Sequence, residues 1–521
     1  PMDTAPLAID GRAGPAQPAA FPRPVPFPRA VDPSRWVLAG VLVLAVVLRL
    51  RGLSTFPLEQ DEIYTVMEGR DLFDVPLAPG IHARPLYFLL QHVLLGILPE
   101  TEAGLRIVPF LLGVAGVWAV WHVGRRVFGT AAGGVGALLV ALSPWHLHAS
   151  GMARYWTLLF LLSTLYVGFL WEAYGTDRPG HYRAALVALV LGSATHPSFF
   201  FPAAGAALGV TLLRADGRWG WRWPSRTAWW NLWGPYALFL AVAALALRMT
   251  GNAGAVQNWS GRGWAATLRL LPAIVEWATP TLVAAGVLGA LLAVSGRSAG
   301  VRRWGAMALA GGVVTVAGLL WAAGRTDVYA DYAFAMLPLL FVSAGGLVQL
   351  GIDRMRGGRA VAAAAAASVL VAGLAPGTAS HLSDGTRFDY RPALRQVQRT
   401  APDVTVAAWP VVVAERYAPT LRYRGLPSTG GGLERLLAEE GELWAVVSAR
   451  RYGLNGDDDG SLEATLARRC ILRSAHERPR WDYRVYRVLL YRCGADGGSS
   501  GGSDRGTARN PSPAPGSIAG G

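Results

Sequence analysis

The sequence predicts a polytopic α-helical membrane protein of about eleven spans, followed by a small extracytoplasmic α/β domain. Three observations carry that prediction. Of 521 residues, 52% are hydrophobic and 16% charged, against roughly 25% charged in an ordinary soluble domain. The apolar residues come in blocks such as Trp36–Leu50, Leu105–Val120, Ala184–Ala194 and Phe334–Leu350, and stretches of about 20 such residues match the bilayer core. After residue 376 the long apolar blocks stop, and short β-branched runs alternate with charged helical spacing.

Residues 1–32 are rich in Pro and Ala without an apolar run, which predicts a disordered N-terminus and no cleavable signal. Residues 33–376 form the membrane domain, with spans starting near Trp36, Leu105, Ala131, Tyr155, Ala184, Phe199, Leu232, Thr281, Gly305, Ala333 and Ala360. Pro85–Leu98 is apolar but short for a span, and it sets the parity. If it does not cross, Arg23, Arg29, Arg35, Arg125, Arg126, Arg178 and Arg183 all fall on one side. Arg214, Arg218, Arg222, Arg226, Arg302, Arg303, Arg354, Arg356 and Arg359 join them there. That sorting satisfies the positive-inside rule, so Pro85–Leu98 is read as non-spanning. The net charge of +14 is then a topology signal rather than a nucleic-acid signal, and no zinc spacing or P-loop accompanies it. Trp219, Trp221, Trp223, Trp229, Trp230 and Trp233 read as a cytoplasmic interfacial belt.

Residues 377–493 read as the α/β domain. Helical spacing covers Tyr390–Arg399, Leu433–Glu439 and Leu462–Arg469; strands are expected at Val404–Val413, Leu443–Val447 and Tyr483–Tyr491. The alternation favours a mostly parallel sheet. Asp457–Asp459 lack calcium-loop spacing and read as a solvated turn. Cys470 and Cys493 either pair, as an extracytoplasmic location permits, or stay as buried thiols. Residues 494–521, rich in Gly, Ser and Pro, form a flexible tail.

This topology collects acidic, His and Tyr residues in the outer loops. Asp61 and Glu62 follow the first span, where charges near lipid are costly unless they face water or act. A carboxylate there can take a proton from a hydroxyl or hold a metal.

Several stretches occur in a telling order. They are Asp61-Glu62; His82 to Tyr87; Glu102 to Arg106, with an apolar run to Gly129; Ser143-Pro144; Ala153-Arg154-Tyr155; Thr195-His196; and Asp389-Tyr390-Arg391. Together they resemble the C-type glycosyltransferases, in the polyprenyl-phosphate-sugar branch related to protein O-mannosyltransferases and lipid A aminoarabinose transferases. The resemblance implies a transferase that moves a glycosyl residue from a polyprenyl-phosphate donor to a hydroxyl of a glycan, lipid or protein. It would work at the outer face of the cytoplasmic membrane. Asp61 would be the base and Glu62 its support, or a group orienting the acceptor. Arg154 and Arg84 would hold the donor phosphate, because a guanidinium matches phosphate oxygens. His82, His196, Tyr64 and Asp331 would contact sugar or acceptor, with Arg325 an alternative partner for Asp331. Some relatives have a metal-binding glutamate where this chain has His82 and Arg84, so a divalent ion, magnesium or manganese, stays open.

Two other readings share these features. A transporter or flippase of lipid-linked saccharides predicts internal repeats and polar residues at mid-bilayer depth, and no clear repeat is present. A membrane assembly protein predicts that Asp61 and Arg154 are dispensable.

Overall fold

The computed structural model describes residues 34–73, 84–214, 218–249, 263–324, 328–355, 357–450, 453–457, 459–482 and 484–494. The expected N-terminal 1–32 segment, residues 495–521 of the tail, His82, Arg325 and Arg356 lie outside them.

The chain is a multi-pass membrane protein. Among the described residues seven helices are long and apolar enough to cross a bilayer, or nine if each of two bent pairs counts as one span. The seven are 35–54, 102–127, 156–176, 226–245, 299–323, 330–353 and 359–384. The bent pairs are 130–142 with 144–150, at 63°, and 268–278 with 280–294, at 93°. All eleven expected stretches contain helix, but two fall short of the span length. Those starting near Ala184 and Phe199 form α8 (Pro179–Thr195) and Pro197–Thr211. Pro197 interrupts a run that would otherwise be continuous. At about 1.5 Å per residue, 17 residues reach about 25 Å, less than the ~30 Å hydrocarbon core.

Helix order before this point is α1 (Ser34–Ser54), α2 (Gln60–Arg70), α3 (Pro85–Leu95), α4 (Glu102–Val127), α5 (Thr130–Leu142), α6 (Pro144–Ser150) and α7 (Trp156–Thr176). After α8 come α9 (Phe200–Thr211), α10 (Gly234–Met249), α11 (Gly263–Ala278), α12 (Pro280–Val294), α13 (Ala299–Ala323), α14 (Leu337–Asp353) and α15 (Arg359–Asp384). Small residues let these helices approach closely, since lipid supplies no hydrophobic drive between them. At Gly209 an added Cβ would lie 2.5 Å from the Ala306 carbonyl oxygen, and at Gly289 it would lie 2.0 Å from that of Ser343. α15 continues through Pro376 to Asp384.

The bundle has two chemically distinct ends. At one, Arg126 pairs with Glu172, Arg303 donates to the Trp171 carbonyl and Arg222 to that of Tyr174. At the other, α2, α3, the starts of α4 and α7 and the turn before α14 face the C-terminal domain. Both flanks of α3 belong to this second end: Arg84 stands over the Tyr155 ring, and Glu100 contacts Arg70 and Arg416. With 11 residues, α3 spans about 16 Å and lies across the end of the bundle.

The C-terminal domain contains α16 (Arg391–Thr400), β1 (Thr405–Ala408), α17 (Val411–Tyr417), β2 (Tyr423–Gly425), α18 (Gly430–Glu440), β3 (Glu442–Arg450), β4 (Gly453–Leu454), α19 (Ser461–Arg469), β5 (Cys470–His476) and β6 (Arg487–Gly494). The sheet is mixed, in the order β2-β1-β3-β6-β5, with β4 on β3. β1 is parallel to β2 and β3, whereas β6 is antiparallel to β3 and β5. The expectation of a mostly parallel sheet missed β5, which joins α19 to β6. The expected strand at Val404–Val413 stops at Ala408, because Trp409-Pro410 turns the chain into α17. Cys470 and Cys493 are register partners on β5 and β6 and are joined as a disulfide. Asp457 and Asp459 accept backbone N–H groups of Leu462, Glu463 and Ser461, closing the start of α19.

Candidate functional site

The site begins where α1 ends. After the extended stretch at Pro57–Glu59 the chain enters α2, and Glu62 accepts the Glu59 backbone N–H at 2.9 Å. This reciprocal cap fixes the first turn of the helix. Glu62 is fully buried. Arg106 grips it with two bonds of 2.8 and 2.9 Å, Arg387 adds one at 3.0 Å, and the Ala153 N–H donates at 2.8 Å. Burial alone would raise this carboxyl, but the two guanidiniums prevail and hold it at about 2. One carboxylate therefore ties together α2, α4, the turn before α7 and the link from α15 to the sheet domain.

Asp61, its neighbour, points elsewhere. Its side chain is 60% exposed and pairs with Arg154. Arg154 lies 5.1 Å from the Tyr155 ring centre and Arg84 lies 5.0 Å from the same ring. Among the described residues each of these arginines has a buried Nε without a hydrogen-bond partner. Two guanidiniums against one ring, both with unfilled donors, form a place for an anion.

Asp61, Arg154 and Arg84 line a cavity of about 580 Å³ between the helical bundle and the sheet domain. Tyr64 and Asp331 line it too, the latter accepting from Trp145 Nε1 at 3.1 Å. Two expected residues do not reach it. Glu62 is consumed by its arginine partners, so it cannot orient an acceptor directly. His196 is buried and bonds Ser198 through Nδ1 at 2.8 Å; its ring stacks on Tyr155 at 4.9 Å. It supports the tyrosine beneath the arginines rather than facing a sugar.

Sequence reasoning missed other lining groups. Glu59 and Glu68 come from α2 and its cap. Burial pushes Glu59 up to about 7, with Arg387 working against the rise and Glu62 and Asp61 reinforcing it. Glu68 is also raised by burial. The sheet domain supplies Phe388, Tyr390, Trp409, Ser448, Arg450, Asn455 and Tyr486. The available signal was position: Trp409 follows a strand directly, and Ser448 and Arg450 end another.

Among the described residues no three His, Cys, Asp or Glu side chains converge to hold a metal ion. Asp61 faces a guanidinium instead, so the described residues do not fit a metal site.

No family model matches the chain, and no curated protein matches it. Among solved structures, ArnT from Cupriavidus metallidurans in the apo state aligns at a TM-score of 0.50 and 14% identity, over 88% of this chain and 98% of that one. The chain shares the ArnT fold. That is the C-type glycosyltransferase fold which the ordered sequence motifs resemble, with a sheet domain following the membrane helices. ArnT bound to undecaprenyl phosphate aligns at 0.48 and 15% identity, over 88% of this chain and 98% of that one. The Archaeoglobus fulgidus oligosaccharyltransferase in the apo form aligns at 0.48 and 13% identity, over 79% of this chain and 69% of that one.

Proposed function

We propose that the protein transfers a glycosyl residue from a polyprenyl-phosphate donor to an acceptor hydroxyl in the cavity beside Asp61. The observation that carries this reading is the juxtaposition of an accessible carboxylate with two arginines whose buried Nε groups lack partners among the described residues. The donor phosphate takes its place between Arg84 and Arg154. Its oxygens compete with Asp61 for Arg154, which frees the carboxylate. Asp61 then accepts the proton of the acceptor hydroxyl. The acceptor oxygen bonds to the anomeric carbon as the bond from that carbon to the phosphate oxygen breaks. The electron pair leaves with polyprenyl phosphate, whose growing charge the two guanidiniums stabilise. Glu62 acts as a positioning residue, holding α2 and the Arg154 turn in register.

The arginine-rich bundle end faces the cytoplasm in this reading, as the positive-inside rule requires, and the cavity opens on the other side, in the cytoplasmic membrane of the cell. The donor therefore cannot be a cytoplasmic nucleotide sugar.

The test is sugar transfer by purified protein in lipid, over a panel of radiolabelled polyprenyl-phosphate sugars, with Asp61→Asn beside the wild type. Transfer or slow hydrolysis of one donor, lost in the folded variant, is expected. Folded protein that binds lipid-linked sugar without turning over any donor, and does not respond to Asp61→Asn, would favour a transporter or assembly protein.

A further inference from the structure

The sheet domain makes a crevice at the cavity. β1, β2 and β3 are parallel and lie in the order β2-β1-β3. α17, joining β1 to β2, packs on the face that carries Val406, Trp444 and Val446. α18, joining β2 to β3, packs on the opposite face with Ala407, Leu443 and Ala445. The chain leaves β1 for α17 on the first face and leaves β3, through β4, for α19, whose Leu462 and Leu466 pack on the second face, so the two connections diverge at the carboxyl ends of β1 and β3. Open parallel sheets take their ligands at this point, because the strand ends present side chains to a gap that no helix fills.

The residues at that gap are polar and aromatic. Trp409 follows the last residue of β1 and is 41% exposed. It rests against Gly456, where an added Cβ would come within 3.3 Å of the indole Nε1. Ser448 lies near the end of β3, and Asn455 is held to it by an amide-to-hydroxyl bond of 2.8 Å. Arg450 ends β3, with its guanidinium 5.9 Å from the ring centres of both Phe388 and Tyr486. It makes no ion pair among the described residues.

We propose that this crevice is the acceptor subsite and that the acceptor is a saccharide, stacked on Trp409 and bonded by Asn455 and Arg450. The assignment rests on the proposed transfer reaction. A sugar ring offers an apolar C–H face to an indole and hydroxyls at its rim to amide and guanidinium groups. A lipid chain would need an aliphatic wall. A peptide adding as a strand would need a free edge, and β1 and β3 are each paired on both sides. The crevice opens onto the cavity that holds Asp61, so an acceptor hydroxyl at the saccharide's end enters from the sheet-domain wall while the donor phosphate sits on the bundle wall.

The experiment uses the full chain in lipid nanodiscs with neutral and uronate-containing di- to tetrasaccharides, and a serine-containing peptide beside them. Wild type, Trp409→Ala, Trp409→Phe and Arg450→Ala are compared. Saturation-transfer NMR is expected to show saccharide signals in wild type that vanish in Trp409→Ala and partly return in Trp409→Phe. With the active donor, the ratio of transfer to hydrolysis is expected to fall about tenfold in Trp409→Ala, the weight of one aromatic contact. Saccharide signals that persist in Trp409→Ala, a ratio unmoved by that change, or signals from the peptide alone would overturn the assignment. If wild type turns over no donor, the transfer reading fails, whereas a Trp409-dependent saccharide signal would still uphold the subsite.

Discussion

Replacing Glu62 by Gln is expected to cost the protein its stability before it touches the chemistry, although the next residue is the proposed base. The carboxylate accepts from Arg106, Arg387, Ala153 and Glu59, and the carboxylate and both guanidiniums are fully inaccessible. A neutral amide leaves two buried guanidiniums without a counter-ion and turns an –NH2 group toward donors. Breaking a buried pair in this way costs about 3–5 kcal/mol. The carboxyl's own position gives a similar figure. It is held at about 2 against a usual 4.5, and at ~1.4 kcal/mol per decade of proton affinity this amounts to ~3 kcal/mol. Because the folded value is depressed, that contribution is present above about pH 4.5 and lost as the pH falls toward 2.

Asp61→Asn makes the contrast. Its partner Arg154 is mostly buried but Asp61 is 60% exposed, and a pair open to solvent is worth about 0–1 kcal/mol. The assay is thermal and denaturant unfolding of wild type and both variants in the same lipid or detergent, with donor turnover measured on the folded fraction. Glu62→Gln is expected to unfold far more readily, while Asp61→Asn unfolds like wild type and turns over no donor. Wild-type stability in Glu62→Gln, or equal destabilisation by the two changes, would refute the division of labour between these adjacent acids.

Other outcomes follow from the same geometry. Arg154→Ala is expected to lower kcat/KM for the donor by about 100-fold or more, as removal of a charge-stabilising donor does, with Arg154→Lys recovering only part because it lacks the guanidinium fork; equal rates in both variants would count against a phosphate contact. Glu59, pushed up to about 7, is expected to give donor turnover an inflection near that pH which Glu59→Gln abolishes. Its folded value is raised, so its contribution to stability is whole below about pH 4.5 and is lost as the pH rises through 7; Glu59→Gln should therefore gain stability relative to wild type more at pH 8 than at pH 4.5, by comparison of unfolding midpoints. Replacing Cys470 and Cys493, 23 residues apart, by Ser is expected to destabilise the sheet domain by ~3 kcal/mol through the freed chain; two titratable thiols in unreduced wild type would contradict the pairing.

The membrane character and the course of the helices were legible because bilayer thickness imposes a length on apolar runs. The exceptions are physical. Pro197 splits one long apolar region into two short helices, which composition within a sliding window does not register. The placement of α3 rested on charge: its own composition is that of a span, and only the distribution of arginines argued against a crossing. In the sheet domain, helices were found from their spacing and β3 from its unbroken apolar run, its interior being buried on both faces. β5 escaped because its residues after Cys470 are largely exposed and its charged pattern resembles a loop. The sheet-domain wall of the cavity was illegible for another reason: Trp409, Ser448 and Arg450 meet α2 only through tertiary packing across more than 300 residues of chain.

The α2 segment shows how much a helical period could have added. Asp61, Tyr64, Thr65 and Glu68 all line the cavity, and their spacing of three, four and seven residues marks one face of a helix. Glu62, Val66 and Gly69 are buried on a different face. Successive residues on a helix diverge by about 100°, so an Asp-Glu pair placed in helix cannot present both acids to one substrate. Read as a loop, the pair looks like two cooperating carboxylates; read as the first turn of a helix, it assigns one acid to solvent and one to the interior. The interior acid then requires buried cations, and the chain supplies Arg106 from α4 and Arg387 from the link after α15. That requirement helps explain how an outer helix with so few apolar residues is held in place: the carboxylate facing the cavity is positioned by its neighbour's salt bridges together with Ile63 and Val66, which pack into the core shared with the sheet domain.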